Sequence, residues 1–195
     1  MSQIARDIYW IPWEEPGCEH LSLRGSTGET HALGMILRMR DERHFRCRYE
    51  LETDDRWRVR RVSFAVNAGD ETAPRRLLLE SDGAGHWRVD GQEAPDLEGC
   101  LDVDIQVTPF TNTLPIRRLD LAEGDSADIR VVYLPVPELT PRPADQRYTC
   151  LRKLGAQGGL YRYEGLFRSF TADLPVDADG LVLDYPETFK RSWPL

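Results

Sequence analysis

Residues 44–68, HFRCRYELETDDRWRVRRVSFAVNA, decide the fold class. In the first ten, Phe45, Cys47, Tyr49 and Leu51 fall on one side and Arg46, Arg48, Glu50 and Glu52 on the other, the period of a half-buried antiparallel strand. The pattern resumes after two aspartates with Trp57 and Val59, then slips phase to Val62, Phe64 and Val66. Such a slip is the trace a β-bulge leaves, and a bulged strand bends. The stretch therefore predicts strands of a curved sheet.

Further along, RRLLLES (75–81), HWRVD (86–90), CLDVDIQV (100–107), ADIRVVYL (127–134), QRYTCLRKL (146–154), LYRYEG (160–165), FTADLPVD (170–177) and LVLDY (181–185) read as strands. Asp82-Gly83, Asp90-Gly91, Glu123-Gly124 and Asp179-Gly180 punctuate them, pairs that enter the positive-φ conformations of tight turns. Many short strands with little helical period predict an all-β, mainly antiparallel barrel, roll or sandwich. One short helix is expected at NTLPIRRL (112–119), capped by Asn112 or Thr113, with Pro115 tolerated in the first turn. The proline-rich LPVPELTPRPADQ (134–146) reads as a stiff surface loop within one domain spanning 1–195, because the strands after it are too few for a separate core. YPETFKRSWPL (185–195) reads as a capping segment, with Phe189 and Trp193 packed back on the sheet.

Composition removes several functions. The 195 residues carry 25 basic and 33 acidic side chains, a net charge of -8, which disfavours a nucleic-acid partner. The basic run Arg56–Arg61 is read as a solvated strand face, since Trp57 and Val59 within it point to a core. No stretch of 18 uninterrupted apolar residues occurs, so membrane contact is expected to be peripheral at most. The N-terminus has no basic head followed by a long apolar run, which predicts a cytoplasmic protein. Cys18, Cys47, Cys100 and Cys150 are dispersed and expected as reduced thiols. With His20, His31, His44 and His86 they form no metal-ligand spacing, so neither a metal nor a cofactor is expected.

Motifs for catalysis are equally sparse. There is no GxSxG elbow, GxxxxGK loop or strand-linked GxGxxG, and DGAGHW (82–87) reads as a hairpin turn. Asp102 and Asp104 share one side of a strand, roughly 7 Å apart if extended, a spacing at which glycosidase carboxylates operate. Such acids usually converge from different elements, so an ion-pair surface is the plainer reading. Cys100 has no histidine near it in sequence and is read as a small buried residue. No catalytic residue is assigned.

Five blocks in order, SDGAGHWRVDG (81–91), LEGCLDVDIQVTPFTNTLPIRRLDLAEG (97–124), QRYTCL (146–151), YRYEG (161–165) and VDADGLVLDYPETFKR (176–191), resemble a bacterial family described as glycolipid-binding. The likeness runs from about Trp13 to Arg191, and TPFTNTLPIRRL is its most specific part. The resemblance implies a spiral β-roll similar to the open barrels of lipoprotein carriers. It supplies no catalytic residues. It implies a non-catalytic role, binding an amphipathic small molecule or glycolipid in an apolar cavity of the roll. The alternatives are a hydrolase acting on a lipid or sugar conjugate and an interaction protein with a filled interior.

Two readings of TPFTNTLP (108–115) follow. Thr108, Thr111, Asn112 and Thr113 have short polar side chains that bond to nearby backbone, as an irregular corner requires. Alternatively Thr108, Thr111 and Asn112 sit with Arg117 and Arg118 at a cavity mouth, where hydroxyls and guanidinium groups hold a sugar or phosphate headgroup. Trp57 and Trp87 are either core or the wall of such a site.

Overall fold

The structure, a computed structural model, describes residues 4–26, 29–40 and 42–194. Strands make up 61% of the described residues. Eight follow one another as antiparallel neighbours: β1 (Ile4–Pro12), β2 (Gly17–Ser26), β3 (Glu29–Arg40), β4 (Arg43–Asp54), β5 (Val59–Ala68), β6 (Arg75–Ser81), β7 (Trp87–Val89) and β8 (Gln92–Glu93). After a 3-10 turn at Pro95–Leu97 come β9 (Asp102–Ile105), a second 3-10 turn at Phe110–Asn112 and helix α1 (Thr113–Leu119). The chain continues through β10 (Ser126–Leu134), β11 (Arg142–Gly155), β12 (Gly158–Gly165), β13 (Phe170–Val176), β14 (Asp184–Tyr185) and β15 (Phe189–Trp193).

These strands form a ten-stranded sheet, β14-β15-β1-β2-β3-β4-β5-β6-β7-β8, and a five-stranded one, β13-β12-β11-β10-β9. The turn between β13 and β14 joins them through a Val176–Val182 bridge and a bond from Leu183 N to Pro175 O at 2.8 Å. Buried Arg191 locks that seam, donating to Asp177 at 2.7 Å and to the carbonyls of Leu181 and Val182 at 2.8 and 2.9 Å. The result is a curled half-barrel, all-β with one short helix, as the alternation predicts. The exception to antiparallel pairing is β9 with β10, which run parallel.

Local rules hold where they were read. Between β4 and β5 the register passes from Glu52–Arg61 to Thr53–Val59, so Arg60 is the extra residue of the predicted bulge. Asp90 and Gly91, at φ 49° and 79°, make the two-residue turn between paired Val89 and Gln92.

Three expectations change. Residues 185–195 are no cap: β15 pairs with β1, burying Phe189 but leaving Trp193 exposed against the edge of the Tyr9 ring. The proline-rich segment is a loop only to Pro141; from Arg142 it is strand, and Pro143 is tolerated in β11 because pairing with β12 begins at Gln146. The α1 N-terminus receives no side-chain cap, because the preceding 3-10 turn runs directly into it.

The ten residues 107–116 are all buried. The 3-10 turn and α1 fill the inside of the curl: Phe110 and Leu114 enter the larger core with Trp10, Tyr49 and Leu51, while Ile116 enters a second core with Tyr148, Tyr163 and Leu174. Each such side chain contributes about 2 kcal/mol of apolar burial.

Candidate functional site

The polar side chains of this buried segment are held internally. Thr108 Oγ1 donates to Glu19 at 2.8 Å and accepts from Phe110 N at 3.0 Å. Thr111 Oγ1 accepts from Ile105 N at 3.3 Å, and Thr113 Oγ1 donates to Gly180 O at 2.9 Å. Asn112 donates to Pro109 O at 3.1 Å and accepts from the Tyr148 hydroxyl at 2.7 Å. Bonds of this kind fix an irregular turn inside an apolar core, where an unpaired polar atom is costly.

Trp57, Arg117 and Arg118, by contrast, meet at a surface cleft of about 640 Å³. Its walls come from the β4–β5 turn (Asp55, Arg56, Trp57, Arg58), the end of α1 with Asp120, the β11–β12 turn and Ala178. Asp54 shapes the first wall, its carboxylate accepting from Arg56 N and Arg58 N, both at 3.0 Å. Trp57 takes φ 63°, unusual for a bulky residue. Its side chain is buried, and the Arg117 guanidinium lies 5.0 Å from its ring centre. Gly180 allows this approach, since a Cβ there would stand 3.2 Å from Arg117 Cδ.

The four cleft arginines differ in role. Arg118 is committed inward, with Nε 3.0 Å and Nη2 2.5 Å from the two carboxylate oxygens of fully buried Asp102. Burial pushes the Asp102 carboxyl up, against the pull of Arg118. Arg58 reaches Gly83 O at 3.3 Å, and Asp120 pairs with Lys153 at 3.4 Å. No carboxylate among the described residues pairs with Arg56 or Arg117. The cleft therefore carries unneutralised positive charge on a chain of net charge -8.

Trp87 contributes nothing to this cleft; it is buried elsewhere, with Nε1 donating to Cys100 O at 2.8 Å. Cys100 is buried beside it, and burial raises its thiol to about 11, which leaves little thiolate at neutral pH. Asp104 accepts from Gln146 at 2.7 Å, with its pKa raised by burial and lowered in part by Arg168. Asp102 and Asp104 thus lie on β9, the edge strand of the five-stranded sheet, Asp102 buried and Asp104 half-buried; the expected ion pair forms between Asp102 and Arg118, but inside the fold and not on a solvent face. Each of the four cysteines is a free thiol. Among the described residues no group of three or more His, Cys, Asp or Glu gathers as a metal site, and no helix is long and apolar enough to cross a membrane.

One buried group escaped the sequence reading. Glu19 is 2% exposed, with Oε1 accepting from the Tyr49 hydroxyl at 2.6 Å and from Thr108, while Oε2 has no partner among the described residues. Burial raises its pKa from 4.5 to about 7, against the opposing pull of its hydroxyl donors and Arg38. The signal was present, since Glu19 falls in phase with Leu21 and Leu23 on the inward side of β2.

A family model described as "Putative glycolipid-binding" matches residues 7–191. The chain belongs to that family. A crystal structure of a DUF1089 family protein from Pseudomonas aeruginosa, at 1.80 Å resolution, is similar in fold and sequence. The TM-score is 0.78 and the identity 41%, over 92% of this chain and 95% of that one. No curated protein matches. The family match and the solved relative agree on the fold.

Proposed function

We propose that this protein binds an amphipathic lipid, a glycolipid by family, and holds its headgroup in the arginine cleft without transforming it. One observation carries the reading: Arg117, braced on Trp57, and Arg56 face one cleft with no carboxylate partner among the described residues. Guanidinium groups present paired N–H donors suited to phosphate or carboxylate on a sugar. Arg118 acts indirectly, anchoring α1 through Asp102 so that Arg117 keeps its place. Thr108, Thr111 and Asn112 serve the same end from inside, and Trp87 supports the neighbouring sheet edge.

Residues 107–116 occupy the inside of the curl, which supports headgroup capture at the surface over swallowing an acyl chain. Titration calorimetry with short-chain lipids bearing anionic or neutral sugar headgroups, below their micellar concentrations, tests this. Anionic headgroups are expected to bind, Arg117→Ala to weaken them about tenfold, and affinity to change little with chain length. A steep rise with chain length that ignores Arg117→Ala overturns the headgroup reading.

A further inference from the structure

The outer face of β15, β1, β2 and β3 carries an apolar surface that no element among the described residues covers. Of the eight large exposed hydrophobic residues among those described, six lie here: Tyr9, Trp13, Met35, Leu37, Met39 and Trp193, between 40% and 55% exposed. They are contiguous through strand register, Tyr9 facing Trp193 on one side and His20 on the other, His20 facing Met35, and Leu37 facing exposed Cys18. Contiguous apolar surface on this scale marks an interaction site.

The next strand supplies a second, independent feature. On β4 the residues opposite Met35, Leu37 and Met39 are Arg48, Arg46 and His44, so a basic row borders the apolar one. Arg46 has no carboxylate partner among the described residues, while Arg48 pairs with Glu50. On the other flank Lys190 lies 5.3 Å from the centre of the Trp13 ring. Tryptophan and tyrosine beside arginine and lysine, around a strip of methionine and leucine, match the chemistry of a bilayer's headgroup boundary. The net charge of -8 does not oppose this, because at physiological salt a charge acts over about 8 Å, so the local row decides.

We infer that this face docks the protein peripherally on an anionic lipid bilayer, inserting Met35, Leu37, Trp13 and Trp193 between headgroups while Arg46 and Arg48 contact lipid phosphates. The inference goes beyond headgroup capture in the cleft and does not depend on it. The cleft is built by the β4–β5 turn, and this face by the opposite end of β4.

The test is co-sedimentation with vesicles of phosphatidylcholine alone or mixed with phosphatidylglycerol. An environment-sensitive fluorophore on Cys18, the one exposed cysteine among the described residues, reports insertion. Wild type is expected to sediment with the mixed vesicles only, to be released by salt, and to shift the fluorophore to the blue. The pair Met35→Ser and Leu37→Ser, and separately Arg46→Glu with Arg48→Glu, should each weaken association at least about tenfold while far-ultraviolet circular dichroism stays unchanged. Leu166→Ser, a comparably exposed apolar residue outside this face, should bind vesicles as wild type does. Equal binding to neutral vesicles, no binding to either, or an equal loss on Leu166→Ser overturns docking through this face. A concentration-dependent dimer dispersed by Met35→Ser and Leu37→Ser, without vesicle binding, overturns it in favour of a second copy of this chain.

Discussion

Replacing Glu19 by glutamine should flatten part of the pH dependence of stability. The folded-state pKa of Glu19 is raised, from 4.5 to about 7, so the unfolded chain releases this proton first. Stability from this group is therefore full below about pH 4.5, falls by about 1.4 kcal/mol per pH unit as the window is crossed, and levels off above about 7. Across the window the loss amounts to roughly 3 kcal/mol. Glutamine keeps an acceptor for Tyr49 and Thr108 but places an amide where Oε2 has no partner, a pH-independent cost of about 1–3 kcal/mol. The variant should accordingly be the weaker protein at pH 5 and approach the wild type at pH 8. Urea unfolding of both proteins at half-unit intervals reads this, because other titrating groups cancel in the difference. A difference that stays constant from pH 4.5 to 8 would refute the assignment of a buried, protonated Glu19.

Arg118→Ala should cost about 3–5 kcal/mol in denaturant unfolding at neutral pH, because it strands buried Asp102 without its counter-ion; the loss should shrink in acid, where Asp102 takes up a proton. Asn112→Ala removes the acceptor of the buried Tyr148 hydroxyl and should lower stability by about 2 kcal/mol in urea unfolding. Gly34→Ala would set a Cβ 2.0 Å from Tyr49 Cε1, so Tyr49 must leave Glu19; a loss of about 3 kcal/mol is expected from thermal melts, with the Glu19 pH window altered in the same protein.

Along β4 and β5, where one face is buried and the other wet, the fold was legible. The alternation from Phe45 to Leu51 and the bulge at Arg60 both follow from that contrast. β3 hid itself for the opposite reason. Its inward Ala32 and Ile36 alternate with outward Met35, Leu37 and Met39, so apolar residues occupy both faces and period two disappears. The missing alternation and the exposed face are thus one fact. Within the site, Trp57, Arg117 and Arg118 were chosen as residue types and converge in one cleft, but Arg56, Arg58 and Ala178 join them only through turns far apart in sequence. The TPFTNTLP stretch was readable as an irregular corner, yet its place inside the curl depends on two sheets closing around it.

Pairing of β15 with β1 places residues 9 and 193 side by side, which sets an order of events during synthesis. The inner edge of β1 waits for a strand made long after it, and the core around Trp10 waits for residues 107–116. A nascent chain that ends before β9 holds hairpins with nothing to wrap and an open edge able to recruit other strands. Because most contacts join distant parts of the sequence, folding should be slow for a protein of this size, and the open edge stays exposed to aggregation until β15 arrives.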